Sequence, residues 1–124
     1  MKKVHRWWKP KPKRDLEDNK GFYTSYAWRQ IRKAVMSREH LCRVCWMHND
    51  HLPREADMVD HFRPRRLWPN MEMSPHNLVP MCNKCHAKKS GRERVVHTQS
   101  EWTEKVLPRY KDLEDYEDIS DTTY

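Results

Sequence analysis

Two Cys-x-x-Cys pairs, Cys42-Arg43-Val44-Cys45 and Cys82-Asn83-Lys84-Cys85, account for all four cysteines and frame a 36-residue segment. A tetrahedral zinc site takes four soft donors, and each pair supplies two thiolates from one tight turn. The segment is longer than the usual zinc-ribbon spacing, which implies a knuckle carrying an insertion. Disulfides are disfavoured, because no secretion signal is evident and a cytosolic compartment keeps thiols reduced. A thioredoxin-like redox pair needs one such motif in a βαβ context, not two with no cysteine to spare. The spacing predicts a structural zinc ion on Cys42, Cys45, Cys82 and Cys85.

Inside the frame lie Val59-Asp60-His61-Phe62 and Asn77, and His86 follows the last cysteine directly. Neighbours on a strand point to opposite faces, so Asp60 can face a metal while His61 faces a water or substrate. Phosphodiester hydrolysis needs a base for the attacking water, charge stabilisation at the phosphate and protonation of the leaving oxygen. His61 suits the base, and Asn77 suits orienting the loop that presents it. Asp60 and His86 suit a divalent ion, which keeps positions for phosphate oxygens when the protein supplies only two ligands. Each residue alone also has an ordinary structural role open to it. An Asp-His dipeptide is common, any of the eight histidines can be a surface or core residue, and Asn77 can start a strand through a side-chain-to-backbone bond. The joint order carries the signal.

That order resembles the HNH endonuclease family, in its zinc-knuckle, bacteriophage-type subgroup. The resemblance runs over about residues 22–94, through Tyr26-Ala27-Trp28, Leu41-Cys42-Arg43-Val44-Cys45, Ala56-Asp57-Met58-Val59-Asp60-His61, Asn77-Leu78-Val79-Pro80-Met81-Cys82 and Cys85-His86-Ala87-Lys88-Lys89-Ser90. It implies a small α+β fold with a ββα-metal (His-Me finger) core, stapled by the four-cysteine zinc site, with flanking helices and little strand. By the same resemblance His61 is the general base, Asn77 fixes its loop, and Asp60 and His86 bind the catalytic ion, expected to be magnesium, manganese or nickel. The implied activity is endonuclease or nickase cleavage of DNA, with phage packaging proteins among the implied partners. A non-catalytic zinc-knuckle DNA-binding or packaging adaptor is the alternative, and an RNA-directed protein is a third class that charge does not exclude.

The elements that must position these residues can be read from local pattern. Thr24 and Ser25 are cap candidates for a helix from about Ser25 to Glu39. Residues 46–55 read as a loop, Ala56–Phe62 as a strand stopped by Pro64, and residues 63–76 as a long proline-rich connection. Asn77–Met81 reads as a second strand. A helix from about Lys84 to Ser90 should end at Gly91. Thr98-Gln99-Ser100-Glu101 is a capping box for a helix carrying Trp102 and Val106 on one face, with Pro108 ending it.

Composition bounds the rest. The chain has 124 residues, 36% hydrophobic and 35% charged, with a mean hydropathy of −1.18. No stretch approaches the roughly 20 apolar residues of a membrane span. Thirteen aromatic residues are nonetheless too many for a disordered chain. Zinc supplies the missing stability, since a structural site contributes about 10–16 kcal/mol where a small apolar core gives about 3–5.

The net charge of +7 is uneven, with 24 basic and 12 acidic side chains in residues 1–110 and six acids against one lysine thereafter. A body this basic attracts polyanions through counterion release. Expected phosphate contacts are Arg63, Arg65 and Arg66 after the first strand and Lys88, Lys89, Arg92 and Arg94 after His86. We therefore expect three parts: a basic arm at 1–21, a nuclease domain at 22–110 and an acidic tail at 111–124. The arm holds Trp7-Trp8 and prolines but no apolar signal stretch, so a cytoplasmic monomer in a bacterium or phage-infected host is expected.

Overall fold

The structure is a computed structural model that describes residues 21–48 and 53–114. The basic arm up to residue 20 and the acidic residues from 115 onward lie outside the described residues. Two compact units divide the chain after Gln30. In the first, a short helical turn at residues 21–24 precedes helix α1 (Tyr26–Arg38), which continues into the second unit. Of the two cap candidates, Ser25 makes the cap. Its Oγ accepts from the Trp28 amide at 3.1 Å and donates to the Phe22 carbonyl at 2.7 Å. The rings of Phe22 and Tyr23 both lie against Trp28, at 5.1 and 5.4 Å between centroids.

The second unit, from Ile31 on, holds every candidate site residue. Helix α2 (Arg43–His48) follows Cys42 directly, so part of the expected 46–55 loop is helical: the knuckle turn winds on for a full turn past Cys45. Strands β1 (Met58–His61) and β2 (Leu78–Met81) pair antiparallel, Asp60 opposite Val79 and His61 opposite Leu78. The connection between them contains two 3₁₀ turns, Pro69–Met71 and Pro75–Asn77, each opened by a proline whose fixed φ suits a first turn. Helix α3 (Asn83–Glu93) starts on the second knuckle, with Asn83 N–H bonded to the Asp57 carboxylate at 2.8 Å. Together β1, β2 and α3 form the expected ββα core within a small α+β fold.

Gly91 does not end α3. The helix runs through it to Glu93, because the inward side chains of Lys89 and Glu93 secure the last turn more strongly than glycine weakens it. Helix α4 (Gln99–Lys105) has the expected cap, Thr98 Oγ1 accepting from Glu101 N–H at 3.0 Å. Pro108 lies in the first turn of helix α5 (Leu107–Glu114), where its missing N–H is no loss. Residues 111–114, expected to begin the tail, belong to that helix. Trp102 and Val106 are buried at the centre of the core, beside Val79, Met81 and the buried cysteines. Phe62 and Trp68 meet Trp102 edge-on at 5.5 and 5.2 Å. Among the described residues no helix is long and apolar enough to cross a membrane.

Candidate active site and metal centres

The four cysteine sulfurs lie within 4.8 Å of one another. Cys45 Sγ is 3.8 Å from Cys82 Sγ and 3.6 Å from Cys85 Sγ. Four Zn–S bonds of about 2.3 Å in a tetrahedron put the sulfurs about 3.8 Å apart, so the thiols fit a single zinc ion. Cys45 N–H also points at Cys42 Sγ at 3.4 Å. Burial raises the thiols of Cys45 and Cys85. At Cys82 burial acts the same way but is outweighed by the Cys85 amide and the neighbouring thiols, which bring it down to about 7. A metal that displaces the remaining protons suits such a cluster.

The second knuckle passes straight into α3, which fixes His86. Its Nε2 lies 3.4 Å from Asp60 Oδ1. Two donors on neighbouring positions of one ion sit roughly 3.0–3.4 Å apart when the bonds are near 2.1 Å, so this pair fits a shared divalent ion. Asp60 is buried while the His86 side chain is 35% exposed, leaving the pair open to solvent on one side.

His61 faces the other way, as strand alternation requires. Its Nε2 lies 3.0 Å from the Glu72 carbonyl oxygen, which can only accept. The proton is therefore on Nε2 and the basic lone pair on Nδ1. Burial holds this imidazole below its ordinary range, against the opposing pull of Glu72 and Asp60, so it is neutral near pH 7. Asn77 is buried at the start of β2 and grips the loop that leaves His61. Its Oδ1 accepts from Arg63 N–H at 2.8 Å, and its Nδ2 donates to the carbonyls of Arg63 and Met71 at 3.0 and 3.3 Å.

Three residues expected at phosphates are used inside the fold. Lys89 is 0% exposed, its ammonium 2.8 Å from Asp60 Oδ2 and 2.6 Å from Glu93 Oε2. It lies one helical turn beyond His86 on the inward face of α3, so it cannot touch a nucleic acid backbone. Arg63 pairs with Glu114 and lies over the rings of Trp102 and Trp68 at 5.4 and 5.6 Å. Arg65 holds Glu72 at 3.0 Å, steadying the turn whose carbonyl orients His61. Lys88, Arg94 and Arg66 are exposed, although Arg66 also donates to the Glu93 carbonyl. Arg92 is half-buried, with a long contact to the Lys88 carbonyl.

Sequence reasoning missed Glu93, Glu72 and Trp102 as parts of the site. Glu93 accepts from Trp102 Nε1 at 2.8 Å as well as from Lys89. The available signal was periodicity: Lys89 and Glu93 stand three and seven residues after His86, on the same helix face.

The family model described as HNH endonuclease matches residues 42–92, the stretch from the first knuckle through His86 and the following basic turn. Over these residues the chain is similar to HNH endonucleases. The chain also has a structural neighbour in a crystal structure of the HNH endonuclease of the deep-sea thermophilic bacteriophage GVE2, with manganese ion. That match has a TM-score of 0.60 and 25% identity, and covers 66% of this chain and 88% of the phage chain. No curated protein matches the sequence.

Proposed function

We propose that this protein is a metal-dependent DNA endonuclease, cutting phosphodiester bonds with His61 as general base beside one divalent ion. The observation that carries the reading is the pairing of Asp60 Oδ1 with His86 Nε2 at 3.4 Å, one residue from an imidazole whose Nε2 proton is tied to a backbone carbonyl. Asp60 and His86 would hold the ion, whose chemistry when bound is Lewis-acid stabilisation of the scissile phosphate and the leaving oxygen. His61 Nδ1 takes a proton from the attacking water as its oxygen bonds to phosphorus. The bond to the 3′ oxygen breaks, and that oxygen gains a proton from solvent. Asn77 keeps the loop behind His61 from drifting, so the base stays in reach of its water.

Cys42, Cys45, Cys82 and Cys85 hold zinc in a purely structural role. The nuclease domain spans 22–114, taking in all of α5, between a basic arm and an acidic tail, and acts as a monomer in the cytoplasm. Exposed Lys88 and Arg94, with Arg66 and Arg92, supply phosphate contacts. The phage neighbour supports a phage-encoded enzyme and manganese as one working ion. A place in DNA packaging rests on the family resemblance.

Supercoiled plasmid incubated with the full chain and magnesium, manganese or nickel tests the reading. We expect ion-dependent conversion to nicked or linear DNA, lost in His61→Ala. DNA binding without cleavage under every ion would instead make the protein a zinc-knuckle adaptor. Cleavage by His61→Ala at the wild-type rate would remove His61 from the mechanism.

A further inference from the structure

Lys89 is a full positive charge with 0% exposure, and the ammonium has three protein oxygens around it. It lies 2.8 Å from Asp60 Oδ2, 2.6 Å from Glu93 Oε2 and 3.2 Å from the His61 carbonyl. Burying an ammonium costs several kcal/mol unless charges and hydrogen bonds compensate it, so a lysine here needs its carboxylates. Glu93 is in turn fixed by Trp102, the most central ring of the core. The two residues Lys89 touches on β1 are the candidate ion ligand and the candidate base.

The contact with Asp60 is one-sided. Lys89 takes Oδ2, a buried oxygen that has no well-angled hydrogen bond and is held by charge, while Oδ1 faces His86. We infer that Lys89 is a positioning residue for the nuclease reaction: by occupying Oδ2 it presents Asp60 to the ion through Oδ1 alone, and by holding the His61 carbonyl it fixes the base on the same strand. This rests on the proposed Asp60–His86 ion site. A carboxylate so restrained binds through one oxygen, which leaves a coordination position for substrate phosphate. Released, it can turn and offer both.

Lys89→Met alone strands two buried carboxylates, so the principal variant is Lys89→Met with Glu93→Gln, which keeps the net charge of the trio. The zinc-loaded full chain is compared with wild type for zinc content, melting temperature, Mn2+ affinity by electron paramagnetic resonance, and plasmid nicking. With zinc retained, we expect Mn2+ affinity to hold or tighten while kcat falls about 10–100-fold, the usual scale for losing a group that orients a ligand. Unchanged kcat, or Mn2+ affinity and kcat falling together, overturns the proposal. In the wild type, which needs no substitution, the Lys89 15Nζ resonance should shift when Mg2+ is added and stay put in Asp60→Asn. A wild-type resonance that ignores Mg2+ also overturns it. Equal Mn2+ uptake by wild type and Asp60→Asn would defeat the ion-site reading itself, and the Lys89 proposal with it.

Discussion

The imidazole of His61 is held by the Glu72 carbonyl, and that contact decides which of its nitrogens can work. His61→Ala should lower plasmid nicking by about 10²–10⁴-fold while zinc content and circular dichroism stay native. Asn77 makes the complementary demand on the backbone. Asn77→Ala leaves the half-buried amide of Arg63 without its acceptor, and we expect a loss of about 1–3 kcal/mol in urea denaturation, with reduced nicking. Asn77→Asp keeps the acceptor but loses both donations, so it should be destabilised as well. The types of the candidate site residues were legible in the sequence because Asp60, His61 and Asn77 fall in fixed order between spaced cysteines and His86 directly follows the last of them. The burial of Lys89 was not, since a lysine on a helix is exposed by default, and although Glu93 lies one turn on, its other partner Asp60 comes from a strand distant in sequence. The Glu72 carbonyl was equally hidden, because backbone atoms across an irregular connection leave no trace in residue type.

Helix α3 ties two kinds of site together, carrying Cys85, His86, Lys89 and Glu93 within three turns. The sequence pattern located its start, through the second cysteine pair, better than its end. Gly91 reads as a terminator by composition, yet it is helical, and a Cβ built on it meets nothing within 4 Å. Gly91→Ala should therefore stabilise the protein by about 0.5–1 kcal/mol in a thermal melt, whereas a glycine needed as a C-cap would lose stability on the same change. The capping box at Thr98 was legible and is present. Thr98→Ala should cost about 1 kcal/mol by the same measurement. The strands were located to within two residues, but the pairing partner of each could not be fixed until the Pro69 and Pro75 turns were known.

At the scale of the whole molecule, charge and metal set the behaviour. Stripping zinc with a strong chelator should unfold the second unit, read as loss of near-ultraviolet dichroism, and restoring zinc should recover it. The basic surface was legible as an excess of charge, but not its division between surface and interior, which depends on Glu72, Glu93 and Glu114. DNA binding measured against salt separates the two. Lys88→Gln and Arg94→Gln should each reduce the log–log slope by about 0.9 if each contacts one phosphate. The Lys89→Met, Glu93→Gln pair should leave that slope unchanged.

Two candidate metal centres with different ligands share one small frame. Crystals of the zinc-loaded protein soaked in manganese would locate both by anomalous scattering. We predict zinc among the four cysteine sulfurs and manganese between Asp60 Oδ1 and His86 Nε2; manganese absent from that pair, or bound by the cysteines instead, would contradict it.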